Sequence, residues 1–317
     1  MKASARSRSL PDVAQDQAAL ARTLDWVGMD GIALPLMLDG GDDPDVGDGG
    51  ANSLLRVPAE ADIAVDLADA DARGIHMSRL YLLLQQGFAD TPLCAQSLRA
   101  LLQACIDSQN GASTRARVCL RYDQLLLRPA LASANAGWKQ YPVAIEATLD
   151  ASGLRLQLDL SLDYSSTCPA STALSRQINA ERFVADFADV SAPSTSQVHD
   201  WLASPRGMAA TPHAQRSRAY LRIRLRDDIG SLDVGALVDA VEEALATPVQ
   251  TAVKREDEQA FAERNAANLM FCEDAARRIA AVLSRLPGVV EFQARAAHLE
   301  SLHAHDAVAR VSGRGPG

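Results

Sequence analysis

The chain has 317 residues, of which 48% are hydrophobic and 4% aromatic. That is enough for a substantial core packed mainly by Leu, Val and Ala, and long enough for about two domains. A net charge of −9 excludes a broad nucleic-acid-binding surface, which carries a basic excess, but leaves room for a small anion held by a local Arg/Lys cluster.

No apolar run approaches the roughly 18 residues of a membrane span. The basic opening Met1–Ser9 lacks the apolar core of a signal peptide and reads as a frayed terminus. Five cysteines, Cys94, Cys105, Cys119, Cys168 and Cys272, are odd in number, scattered and free of CxxC pairs. They make neither a disulfide framework nor a structural zinc ribbon, and they fit a reducing, cytoplasmic compartment.

In chain order, a strand is predicted near Gly31–Met37, then an acidic glycine-rich loop from Asp39 to Gly50, then a half-buried strand at Asp62–Leu67. Two helical patterns follow, the second with Leu98, Leu101, Leu102 and Cys105 on one face. Gly111 closes the pair, and Arg117–Tyr122 resumes strand alternation. Ala132–Gly137 reads as a joint between halves. Beyond it, Val143, Ile145, Ala147 and Leu149 alternate up to a turn at Asp150–Gly153, and Leu154 to Leu162 alternate away, the clearest hairpin in the chain.

Later, Leu221, Ile223 and Leu225 alternate with Arg222, Arg224 and Arg226, giving one apolar and one basic face. Val234, Leu237, Val241, Ala244 and Leu245 mark a helix ending at Pro248. Phe271, Ala275, Ile279, Val282 and Leu286 mark another ending at Pro287-Gly288, and strand pattern runs from Val289 to about Val311. The expected fold is α+β, two modules of antiparallel strands around paired helices. Their bounds are an arm at 1–25, a first module at 26–137 and a second at 138–317, with an insertion at about 179–208.

Four segments are chemically specialised. Cys168 precedes Pro169 at a strand end; it is either a directed thiolate or a buried small hydrophobe. His213 in Thr211–Ser217 is either a metal ligand or a loop histidine. Lys254–Glu258 is a charge run that also suits a solvated helix start, where acidic residues meet the positive end of the dipole. Glu300, His303 and His305 gather a carboxylate and two imidazoles, the groups that move protons near neutral pH.

Taken in order, these motifs resemble the GTP cyclohydrolase IB family across nearly the whole chain. They comprise Leu10-Pro11-Asp12-Val13, Val27-Gly28-Met29, Gly74–Arg79, Ser165–Pro169, His213–Ser217, Lys254–Glu258, Phe271–Asp274 and Glu300–His303. The resemblance implies tandem tunnelling-fold modules whose subunits assemble into a barrel, a homotetramer with active sites at subunit interfaces. It implies conversion of GTP to 7,8-dihydroneopterin triphosphate and formate, the entry to folate synthesis.

By motif position, Cys168, His213 and Glu258 are the implied ligands of one divalent metal, zinc, manganese or iron. Glu300 and His303 fall at acid/base positions, and Glu273 falls where a carboxylate anchors the guanine edge. Arg79, Arg216, Lys254 and Arg255 are candidates for the triphosphate. Two departures stand out: Ala170 replaces a second cysteine found in many relatives, and the segment Asn179–Met208 separates motifs that usually lie close together.

A metal-activated water attacking purine C8 is the implied chemistry. The alternatives are a tunnelling-fold nitrile reductase that acts on a deazapurine with NADPH, a non-catalytic protein of the same fold, and a cyclohydrolase releasing a cyclic phosphate.

Overall fold

The computed structural model describes residues 13–14, 16–39, 54–230 and 232–317. Met1–Ser9, Leu10-Pro11-Asp12 and the glycine-rich stretch from Gly40 to Gly50 lie outside the described residues. Contacts divide the chain into two compact units. One is Met1–Asp123 with Val143–Leu158 and Arg224–Asp233; the other is Gln124–Pro142 with Asp159–Ile223 and Val234–Gly317.

In the first unit, β1 (Leu24–Asp39) pairs antiparallel with β2 (Leu54–Leu67), with a register shift between Met29 and Ile32. The shift is centred on Gly31, whose φ of 73° is a conformation open to glycine. Its N–H donates to Asp62 Oδ1 at 2.9 Å. Helices α1 (Met77–Gly87) and α2 (Ala95–Asp107) follow. Leu98, Leu101, Leu102 and Cys105 are buried, as their helical spacing requires. β3 (Ala116–Pro129) pairs its first half with β2.

β4 (Ala136–Asp150) and β5 (Gly153–Thr167) form the hairpin that alternation predicts. Gly153 has φ 108°, and Asp150 Oδ1 accepts from Ser152 N at 2.8 Å to close the turn. Leu154, Leu156, Leu158, Leu160, Leu162 and Tyr164 all point inward. Burying each leucine contributes roughly 1.5–3 kcal/mol.

The second unit continues from β5 into α3 (Pro169–Asp186), α4 (Thr195–Leu202), a short 3-10 turn at Pro205–Met208 and β6 (Ala214–Leu225). α3 and α4 are stapled by Phe183, Phe187 and Trp201, whose rings lie 4.7–6.3 Å apart. Arg206, Trp201 and Arg182 bond to Asp186, the Arg206 interaction doing most to hold its carboxyl well below the usual range.

α5 (Val234–Leu245), α6 (Arg255–Ala267) and α7 (Cys272–Leu283) follow, then β7 (Val289–His298) paired antiparallel with β8 (Ala307–Arg314). The buried stripe of α7 is Cys272, Ala275, Ala276, Ile279 and Leu283. Phe271, expected in that stripe, precedes the helix as its N-cap residue and is exposed.

The strands make one open eight-stranded sheet in the order β1 to β8. This corrects the expected tandem tunnelling-fold modules with separate sheets assembling into a barrel. The physical reason lies at Ala132–Gly137, expected as a joint. Ala130 N donates to Asn135 O at 2.8 Å, closing a tight turn that lays β4 directly beside β3 instead of starting a new sheet.

Candidate active site

The end of β5 delivers Cys168 to the start of α3, where Pro169 takes the first helical position. Cys168 Sγ caps the helix, accepting from Ser171 N at 3.4 Å, and its carbonyl accepts from Thr172 N and Thr172 Oγ1 at 3.0 and 2.8 Å. Cys168 N donates to His213 O at 3.3 Å, and His213 N donates to Ser171 Oγ at 3.1 Å. These bonds fasten Cys168 and His213 together through the main chain, although 44 residues intervene between them.

His213 lies just before β6. Its Nδ1 is 3.0 Å from Gln215 Oε1 and 3.8 Å from Glu300 Oε2. Glu300 follows β7 and is brought in by Leu299 N donating to Arg216 O at 3.1 Å. The Glu300 side chain is 11% exposed, so its carboxylate is largely withdrawn from water.

Beneath these groups sits a polar cluster that sequence reasoning missed. Gln215 Nε2 donates to Ser166 Oγ at 3.0 Å; Ser166 Oγ is 2.8 Å from Ser217 Oγ and 3.2 Å from His298 Nδ1. His298 Nε2 is 3.1 Å from Tyr164 OH, and the two rings meet edge to face. All five residues are buried. Burial pushes His298 down to about 4 and raises the Tyr164 phenol. Each stands where strand alternation calls for an apolar side chain, and that mismatch was the signal available.

Glu273, in the first turn of α7, is exposed and accepts from the Cys272 thiol at 3.3 Å. Its own backbone N–H, then that thiol, hold its carboxyl below the usual value. Met270 N donates to Thr167 O at 3.2 Å, tying the segment ahead of α7 to the end of β5.

The other candidates are placed differently. His303 is exposed and stacks on His305, ring centroids 5.1 Å apart, whereas Glu300 faces His213. Glu258 is exposed in the first turn of α6, and Lys254 and Arg255 are exposed at that helix start. Asp257, their neighbour, is buried: its carboxylate accepts from Lys254 N, Ala132 N, Ser133 N and Ser133 Oγ at 2.6–2.8 Å. Part of the charge run is therefore a structural helix start.

Among the described residues, no three His, Cys, Asp or Glu side chains converge as a metal would need. The set Cys168, His213 and Glu258 is not assembled within one chain.

Arg79 lies in the first unit, where it donates to Ser108 O. On the basic face of β6, Arg218 and Arg222 are neutralised by bidentate pairs with Asp163 and Asp159. Arg216 is exposed, and among the described residues its guanidinium is in no ion pair, which leaves it available to an anion.

The chain matches the family described as type I GTP cyclohydrolase folE2 over residues 10–309. It is 47% identical over 305 residues to the GTP cyclohydrolase FolE2 of Chromohalobacter salexigens, covering 96% of this chain and 95% of that one. Solved structures of similar path include a uricase from Arthrobacter globiformis, with TM-score 0.44 and 11% identity over 93% of this chain and 94% of that one. A uricase from Bacillus fastidious gives 0.48 and 8%, over 91% and 93%. The family match spans most of the chain and the curated relative nearly all of it: the chain belongs to the type I GTP cyclohydrolase folE2 family and is an enzyme, a GTP cyclohydrolase.

Proposed function

We propose that this protein opens the imidazole ring of GTP by water attack at C8, releasing formate and leaving 7,8-dihydroneopterin triphosphate for folate synthesis. The motif set from Ser165–Pro169 to Glu300–His303 supports a type IB enzyme within the family. The observation that carries the reading is the meeting of Cys168, His213 and Glu300 at the ends of β5, β6 and β7.

In this reading Glu300 is the proton-handling group, set beside His213, the proposed imidazole ligand of the metal. His213 Nδ1 lies 3.0 Å from Gln215 Oε1 and 3.8 Å from Glu300 Oε2. Glu300, withdrawn from water beside an imidazole, can take or return a proton as the ring nitrogen and the departing amine require. His303 is a second acid/base group on the same segment. Glu273, held anionic, accepts the adjacent N1–H and N2–H of guanine. Arg216, Lys254, Arg255 and Arg79 are the proposed partners of the triphosphate.

One divalent metal per site, zinc, manganese or iron, belongs to the proposal on the chemistry of thiolate, imidazole and carboxylate donors. Among the described residues, those of a single chain do not complete its three-ligand set. Self-association as a homotetramer is proposed with it, since a second copy can supply what one chain leaves incomplete. A cytoplasmic location suits five cysteines that all remain free.

The test is to strip the protein with chelator, add GTP with zinc, manganese or iron(II), and follow formate and oxidised pterin fluorescence. Formate with a fluorescent pterin supports the reading. Formate with a non-fluorescent product would move the activity to another ring-opening outcome, and no formate from folded, associated protein would sink it.

A further inference from the structure

We propose that the buried chain Gln215–Ser166–His298–Tyr164 is a positioning relay that sets the tautomer and direction of His213. The proposal rests on His213 acting in the reaction, as inferred above.

Ser166 has one proton and two lone pairs and three partners within 3.2 Å. If it accepts from Gln215 Nε2 and Ser217 Oγ, it donates to His298 Nδ1. His298 then carries its proton on Nε2 and donates to Tyr164 OH. Gln215 is thereby held with Oε1 towards His213, so His213 Nδ1 must be the donor and Nε2 is left open.

The reverse polarity, with every bond inverted and the Gln215 amide flipped, is equally self-consistent within the chain. The Glu300 carboxylate breaks the tie: an acceptor oxygen 3.8 Å from His213 Nδ1 favours a proton on that nitrogen. Burial that keeps His298 neutral serves the same end. A second proton on its ring would turn Nδ1 into a donor and compel Ser166 to donate elsewhere. The outer partner of a metal-ligating imidazole fixes its tautomer in this way, and losing such a partner typically costs about 10–100-fold in metal affinity or activity.

The experiment uses the full chain with histidines labelled in 15N, the His213 signals being identified from a His213→Asn sample. Wild type is expected to show a protonated Nδ1 and an unprotonated Nε2. Gln215→Leu, which keeps the bulk but loses both hydrogen bonds, should mix the two tautomers. Its kcat should fall about 10–100-fold, with KM for GTP changed by less than about twofold. Gln215→Glu restores an acceptor for Nδ1–H and should recover most of kcat.

Ser166→Ala severs the relay one step deeper and should give the same mixed signature if Gln215→Leu proves unstable. Unchanged nitrogen signals in Gln215→Leu or Ser166→Ala, a protonated Nε2 in wild type, or a Gln215→Glu no better than Gln215→Leu would overturn the relay. An inactive wild type would instead overturn the functional reading on which it rests.

Discussion

The carboxylate of Glu300 stands 3.8 Å from Nδ1 of His213, with its side chain 11% exposed. Residues 87 positions apart thus share one corner of the fold that neither motif predicts alone. Glu300→Gln keeps the shape and removes the base. We expect kcat to fall by about 10²–10⁴ with KM for GTP nearly unchanged, measured as formate release. A loss confined to KM would make Glu300 a binding residue.

Glu273 is held below its ordinary value of 4.5 by its own backbone N–H and the Cys272 thiol. A depressed carboxyl is fully ionised above its unfolded value and gains a proton only as pH falls through the lower folded value. Glu273→Gln is expected to raise KM for GTP about tenfold, roughly 1.4 kcal/mol. The ratio of the two KM values should stay flat from about pH 8 to about pH 5. A ratio that collapses in that window contradicts the anionic anchor.

Asp257 tests the structural part of the same charge run. Its carboxyl is lowered from 3.8, first by Ser133 Oγ and then by the backbone N–H groups of Lys254, Ser133 and Ala132. The stabilisation is present above about pH 4 and is lost as pH falls through the folded value. In urea unfolding, Asp257→Asn should be less stable than wild type by a constant margin near neutrality. That margin should shrink below about pH 4; a margin that grows on acidification contradicts the assignment.

Lys139 and Glu242 form a buried pair at 2.7 Å with side chains 9% and 10% exposed, and Tyr141 OH donates to the same Glu242 oxygen at 2.8 Å. Removing one partner leaves a buried charge poorly matched. Lys139→Met should cost about 3–5 kcal/mol, whereas Lys139→Met with Glu242→Leu should regain much of it. Equal losses in the single and double variants, read by urea unfolding, would contradict the pairing.

Local elements were legible where periodicity was clean. The β4–β5 hairpin, α2 and α5 follow from side chains that must all face one way. Phe271 was misread because its spacing fits the α7 stripe, while the chain there has not yet turned into the helix. The sheet as a whole was misread because a turn at Ala130–Asn135 and an interdomain joint share the same small, polar composition.

Motif reading named Cys168, His213 and Glu300, and the structure brings these three together in the candidate site. The site was not legible at Ser166, Gln215, Ser217 and His298, where the meaning lies in neighbours 49–132 residues away. The arginine face of β6 likewise lost its apparent charge to Asp159 and Asp163 on β5, a cross-strand match invisible along one strand.

The most direct measurement of the central claim is a single-turnover assay with GTP labelled at C8, quenched and counted as formate, for wild type, Cys168→Ala and His213→Asn. The account predicts labelled formate from wild type and its loss in both variants while their folded signatures persist. Labelled formate at the wild-type rate from either variant would contradict it, because the ring would then be opened somewhere other than at the meeting of β5, β6 and β7.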